Sequence, residues 1–313
     1  MGKYIRKRLF GLVFVLIGIT FLTFLITNIS PIDPAEAFVR RNAKAATEEQ
    51  VEKMREEMGL NKPIPVQYLH WLKNVVRLDF GESLVSRKPV LEEMKRAFPA
   101  TLVLVGTASL IILVASIPLG VLAAVYRNSF FDHLIRVLTL FGISTPNFWL
   151  GFVLMYYFAV KLKLVPVVGF GEFKNVILPA VTLAVPVIST IIRFLRANML
   201  EVMNKEFVVY AEARGIKKEV IIWKHIFKNA VPPMVTLFGQ TIGNLVAGTA
   251  IIESVFSWPG IGLYAVTAIM NRDYMAINAY VLLVALIFVL CNLLADIINL
   301  FINPALIKEG GEV

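Results

Sequence analysis

The 313-residue sequence has one cysteine, Cys291, and three histidines, His70, His133 and His225. One sulfur builds neither an internal disulfide nor a thiolate metal cage. Charge is scarce too: 17% of residues are charged and 58% are hydrophobic, where a soluble domain has about a quarter charged and about half apolar. One buried core cannot absorb that apolar excess, so lipid is the solvent for much of the chain. A soluble enzyme, a nucleic-acid-binding domain and a disordered tail are excluded. No G-x-x-x-x-G-K-[ST] loop is present to cradle nucleotide phosphates. The net charge of +9 therefore reads as loops facing anionic lipid rather than as a nucleic-acid surface.

What the sequence has in quantity is long apolar runs. A span needs about 20 apolar residues, and six stretches qualify or nearly so: Leu9 to Ile32, Ala97 to Tyr126, Val137 to Val160, Val176 to Ile192, Asn229 to Ile252 and Met275 to Ala295. The fourth is short and carries Pro179 and Pro186, which predict a break. The runs are too long and too uniformly apolar for barrel strands. Lys3, Arg6, Lys7 and Arg8 precede the first run. That run exceeds the usual leader length and no small-residue cleavage box follows, so it reads as a retained helix.

Orientation follows from Lys and Arg in short loops. With the N-terminus inside, segments 1–8, 127–136, 193–228 and 296–313 hold fifteen basic residues, and the short outer loops hold four: Lys161, Lys163, Lys174 and Arg272. Both termini are then expected in the cytoplasm. Residues 33–96, nearly charge-balanced and long for a plain loop, read as a small external domain. Within it, Thr47 and Gln50 form a capping box opening a helix that Gly59 ends, with Pro63 beyond. An amphipathic stretch from Val66 to Leu78 carries Trp71 as an interface anchor.

The spans contain essentially no intramembrane carboxylate or lysine, so a proton relay has no groups to run on. Glu253, Asp273 and Asp296 sit at span ends, where a solvated or structural role is expected. A bare metal ion finds no midplane ligand set either. A path without an energy source implies a partner, and its docking place would be segment 193–230. There Phe207, Tyr210, Ala211 and Arg214 recur at i, i+3, i+4, i+7 on one helix face, and Gly215 stops the helix. Such a face suits a partner's groove or, equally, the lipid surface.

The fifth run carries Thr236, Gln240, Gly243, Asn244, Ala247 and Gly248 at helical spacing. A polar stripe there reads as a lining for polar solutes; close packing through small residues is the alternative. Asn147, beside Pro146 in the third run, is a similar candidate. Pro146 either breaks that helix, exposing backbone carbonyls, or only kinks it.

Together these pieces resemble the membrane subunit of binding-protein-dependent ABC importers of the dipeptide, oligopeptide and nickel class. The marks run along nearly the whole chain: Pro31-Ile32-Asp33-Pro34, Gly59-Leu60-Asn61-Lys62-Pro63, Asp79-Phe80-Gly81-Glu82-Ser83, Ser144-Thr145-Pro146-Asn147-Phe148-Trp149, Ala211-Glu212-Ala213-Arg214-Gly215, Phe256-Ser257-Trp258-Pro259-Gly260-Ile261-Gly262 and Asn303-Pro304. In the general importer motif, Glu-Ala-Ala begins six residues before the glycine; here Val209, Tyr210 and Ala211 stand there. Only the second alanine and Gly215 match, so no glutamate at the usual position anchors an ATPase.

The resemblance implies an all-α integral membrane protein with the type I ABC importer permease fold. Six transmembrane helices are expected, with the external domain between the first two. The expected divisions are 1–32, 33–96 and 97–313, the last including the coupling loop 193–230. It implies an inner-membrane importer subunit that does no catalysis and carries no metal or cofactor, with ATP and Mg on partner ATPases. Expected partners are a second permease subunit, two ABC ATPase subunits, an external solute-binding protein and lipid, with no nucleic acid. Coupling residues would be Phe207, Tyr210, Ala211, Glu212, Arg214 and Gly215; path residues would be Asn147, Thr236, Gln240 and Asn244. The cargo would be di- or oligopeptides, or nickel or a nickel chelate. The rivals are an ion-coupled secondary transporter, which predicts inverted repeats, and a membrane scaffold that moves nothing.

Overall fold

The computed structural model describes residues 2–29, 33–42 and 47–302; Pro31, Ile32, Asn303, Pro304 and Lys308 lie outside them. The chain is all-helical, and an isolated antiparallel bridge between Glu82 and Pro89 is the one β pairing among the described residues. It divides into two compact units.

The first unit comprises residues 1–101 and 259–287. It holds α1 (Gly2–Ile29), α2 (Pro34–Asn42), α3 (Glu48–Glu57), α4 (Ile64–Val76), the start of α5 (Val90–Val125), α12 (Ile261–Asn271) and the start of α13 (Tyr274–Ile302). The expected capping box opens α3: Gln50 N donates to Thr47 Oγ1 at 3.3 Å and Thr47 N to Gln50 Oε1 at 3.2 Å. At the other end Gly59, with φ +68°, lets its N–H reach Glu56 O while Leu60 N reaches Arg55 O, which is the Schellman pattern. Arg55 also bonds Asp33, with Nε at 2.9 Å. That hydrogen bond holds the guanidinium above its usual range.

Helix α4 buries Tyr68, Trp71 and Val75, spaced i, i+3, i+7 on one face. They pack with Phe24 of α1, and the Tyr68 hydroxyl meets Thr20 Oγ1 at 2.9 Å. Trp71 is thus not the interface anchor expected: it is 7% exposed, because the face it shares with Tyr68 is the one α1 covers. Asp273 is not solvated at its helix end. It is 1% exposed and accepts from Ser83 Oγ and from Ala276 N, tying the strand-like turn after α4 to the start of α13.

The second unit comprises residues 102–258 and 288–313. Its centre is α8 (Phe173–Met203), against which α6 (Phe130–Ser144), α7 (Asn147–Leu154) and α11 (Lys228–Val255) pack. Two expectations are corrected here. The fourth span is neither short nor broken: α8 runs unbroken through Pro179 and Pro186. Neighbouring helices hold a buried membrane helix together across the hydrogen bonds that proline removes. Consequently Arg193 and Arg196 belong to this helix and not to a loop.

The third span, in turn, is not one helix. Thr145, before Pro146, is driven to ψ 124°, since proline disfavours the helical region for its predecessor. Helix α6 ends there, and α7 with the π-helical stretch Met155–Lys161 leaves at 105°. Among the described residues, five helices are long and apolar enough to cross a membrane, and six spans result when this bent pair counts as one.

Candidate functional site

Between α8 and α11 the chain makes a short helix, α9 (Glu206–Ala213). It is followed by α10 (Lys218–Val220) and the π-helical stretch Ile221–Phe227, which leads directly into α11. Gly215 closes α9 as anticipated. Its φ of +70° lets Gly215 N donate to Glu212 O at 2.9 Å and Ile216 N to Ala211 O at 3.2 Å, a Schellman end. An added Cβ on Gly215 would meet nothing within 4 Å, so the demand for glycine is purely one of backbone angle.

The face of α9 is divided differently from the expectation. Ala211 is buried, together with Val208, and this side of α9 lies on the π-helical stretch. Phe207 is 40% and Tyr210 67% exposed, and Glu212, Arg214 and Gly215 are exposed as well. Ala211 therefore seats the helix on its own chain, and the free face consists of Phe207, Tyr210 and Arg214. The signal that sequence reading missed was Val208, three residues before Ala211 and so its neighbour on a helix.

Helix α11 also has two distinct sides. Gly239 and Gly243 are buried against α13: a Cβ on Gly239 would collide with Ala295, and one on Gly243 would lie 3.0 Å from the Phe288 backbone. These small residues set close packing of the two helices, so Gly243 leaves the polar stripe. Gln240, Asn244, Ala247 and Gly248 are exposed on the other side, with Thr236 half-buried in line with them. The two amides bring a polar row to an otherwise apolar helix surface. Asn147 is half-buried in the first turn of α7, directly after Pro146. Farther along α7, Gly151 comes close to Thr182 of α8 and to Val255 and Phe256 at the end of α11.

Glu253 stands in the last turn of α11, at the span end as expected, and is fully buried; of the two roles expected there, solvated or structural, burial leaves the structural one. Among the described residues, no three His, Cys, Asp or Glu side chains gather in a way that could hold a metal ion.

Comparison with known proteins identifies these elements. The family described as the inner membrane component of binding-protein-dependent transport systems matches residues 116–308, and the N-terminal family of the same membrane components matches residues 1–105. The glutathione transport system permease protein GsiC of Pectobacterium atrosepticum is 37% identical, over 98% of this chain and 99% of its own. The GsiC protein of Salmonella typhimurium is 38% identical over the same shares. Among solved structures, an inward-facing MetNI methionine ABC transporter chain superposes with a TM-score of 0.59 at 19% identity, over 67% of this chain and 96% of that one. Its fold is that of the type I ABC permeases. The chain therefore belongs to the inner membrane components of binding-protein-dependent transport systems, the permease subunits of ABC importers, which work with separate ATPase subunits and a solute-binding protein.

Proposed function

We propose that this permease carries short peptides inward across the membrane. The single observation that carries the reading is near-full-length similarity to permeases described as glutathione-transporting, since glutathione is itself a tripeptide. The exposed amide row of Gln240 and Asn244 suits such cargo. Side-chain amides offer both donors and acceptors to a peptide backbone without holding it tightly. The family leaves the ion-coupled carrier and the scaffold without support.

In this reading both termini are cytoplasmic, a second permease subunit completes the path, and two ATPase subunits bind ATP and Mg below it. The exposed Phe207, Tyr210 and Arg214 face of α9 fills a groove on one ATPase. Gly215 forms the turn through which ATPase closure is passed to α11, and the spans then switch between outward and inward openings. This chain supplies positioning and force transmission, and its partners supply the fuel. Residues 33–96 are the external domain, and the solute-binding protein delivers cargo to that side.

The test is uptake by the reconstituted importer of radiolabelled glutathione and of Ala-Leu, with a nickel–histidine chelate as comparison. ATP-dependent accumulation of the peptides, and not of the chelate, is expected. Accumulation of the chelate alone would overturn the peptide reading.

A further inference from the structure

Helix α10, the π-helical stretch and α11 form one continuous helix from Lys218 to Val255. At its foot the two sides differ. Ile221 and Ile226 are each 3% exposed, and the π-helical stretch lies against α8 and α9. On the outward side Trp223 is 52% exposed, and its ring meets that of Phe227 edge-on with centroids 5.2 Å apart. Trp223, Lys224, Phe227, Lys228 and Val231 line an open groove of about 460 Å³.

The spacing sorts these five residues into two strips. Trp223, Phe227 and Val231 follow one another at four-residue intervals and make an apolar strip. Lys224 and Lys228, also four apart, make a cationic strip beside it. Both lysines are exposed, and neither forms an ion pair with a described residue. From Gly215 to Pro232, Lys217, Lys218, Lys224 and Lys228 stand against a single carboxylate, Glu219. Like charges one turn apart repel, so this pair is completed by an anion from outside the chain. The apolar run Asn229 to Ile252 is about 36 Å long at 1.5 Å per residue, which covers the hydrocarbon layer of about 30 Å. Val231 then stands at the hydrocarbon edge, and Lys228, Lys224 and Trp223 stand just beyond it, at the depth of the lipid headgroups.

We propose that this groove is a binding site for one anionic phospholipid of the phosphatidylglycerol type. Lys224 and Lys228 share its phosphate. Trp223 packs on the glycerol and ester region, where indoles settle at membrane surfaces, and an acyl chain runs along Phe227 and Val231 into the bilayer. An aromatic belt alone would hold neutral and anionic lipids equally; two lysines without counter-carboxylates make the site selective for the anion. With the orientation proposed above, the lipid comes from the inner leaflet. It sits on the helical joint between Gly215 and α11, apart from the exposed amide row.

The experiment titrates the delipidated, assembled importer in detergent with dioleoylphosphatidylglycerol or dioleoylphosphatidylcholine and counts bound lipids by native mass spectrometry. The parent should bind phosphatidylglycerol about tenfold or more tightly than phosphatidylcholine. Lys224→Gln and Lys228→Gln should each weaken phosphatidylglycerol about fivefold and leave phosphatidylcholine unchanged, and the double variant should lose most of the preference. Trp223→Ala should weaken both lipids alike. Lys174→Gln, exposed at the far end of α8, should match the parent. No preference in the parent, or a preference intact in the double variant, overturns the site. If a partner subunit fills the groove instead, the double variant sheds that subunit while lipid preference stays, which overturns it too. Should the double variant fail to assemble, the two single variants decide. The readout needs neither cargo, ATP nor a membrane orientation, so its failure leaves the peptide reading untouched, and failure of peptide uptake leaves the lipid site untouched.

Discussion

Arg196 on α8 clasps the carboxylate of Asp132 on α6 with two donors, Nε at 2.7 Å and a terminal nitrogen at 2.8 Å. Asp132 is fully buried. Its second oxygen also accepts from Asn128 N at 2.9 Å, closing the left-handed turn that Asn128 makes at φ +64°. The pair thus fixes the start of α6 onto the last third of α8, where Ala123 of α5, Ile135 of α6 and Ile192 of α8 form a buried cluster. Breaking a buried, bidentate ion pair leaves one uncompensated charge and costs about 3–5 kcal/mol.

Arg196→Ala should therefore lower thermal stability in detergent sharply, and Arg196→Lys should recover only part of it, because an ammonium cannot reproduce the planar fork. Arg136 stands 3.7 Å from the same carboxylate and is half-exposed. Arg136→Ala should cost under about 1 kcal/mol. Unfolding midpoints of the three variants check this; equal losses for Arg136→Ala and Arg196→Ala would contradict it.

The packed side of α11 gives a second prediction. A Cβ on Gly243 would meet both the ring and the backbone of Phe288, and backbone cannot swing aside as a side-chain tip can. Gly243→Val should force α11 and α13 apart and cost about 1–3 kcal/mol as overpacking. Gly248, with nothing within 4 Å of an added Cβ, should accept alanine with little change. A melting temperature for Gly243→Val equal to the parent's would show that the two helices do not pack as described.

How far the sequence carried this structure varies from element to element. The α3 capping box and the glycine ends at Gly59 and Gly215 were legible because each depends on residues within one turn. Pro146 was legible as an ambiguity between a break and a kink. The helix breaks there, whereas α8, packed among α6, α7 and α11, continues through Pro179 and Pro186. Burial was the part that could not be read. Trp71 and Ala211 both stand where periodicity suggested exposure, and each is covered by a neighbour distant in sequence or by a face the local pattern does not identify. On α11 the spacing gathered glycines and amides into one stripe, and only the position of α13 separates them.

The amide row gives the third prediction. Gln240 and Asn244 are exposed, so Gln240→Leu and Asn244→Leu should change folding little, within about 0.5 kcal/mol. If the row lines the path, the double variant should lose most peptide uptake while ATP hydrolysis by the assembled importer continues. Measured uptake at the parent's rate in the double variant would remove these two residues from the path.

Helix α9 gives the fourth. Its two sides call for opposite results from similar substitutions. Val208 is 3% exposed and Ala211 5% exposed, so Val208→Asp buries a charge without a partner and should disrupt the permease itself. Phe207→Asp and Tyr210→Asp place the same charge on the free face. The permease should then fold and insert normally but fail to retain its ATPase, because an apolar aromatic contact is replaced by a group that must be desolvated on docking. Gly215→Pro should act differently again. Proline cannot adopt the φ of +70°, so the turn is lost while the contact face remains, and the ATPase should stay bound yet hydrolyse ATP without uptake. Gly215→Asn, which tolerates the left-handed region, should restore most of the coupling. Co-purification of the ATPase together with the ratio of uptake to hydrolysis separates the three cases. Full ATPase retention in Phe207→Asp and Tyr210→Asp would show that this face is not where the engine attaches.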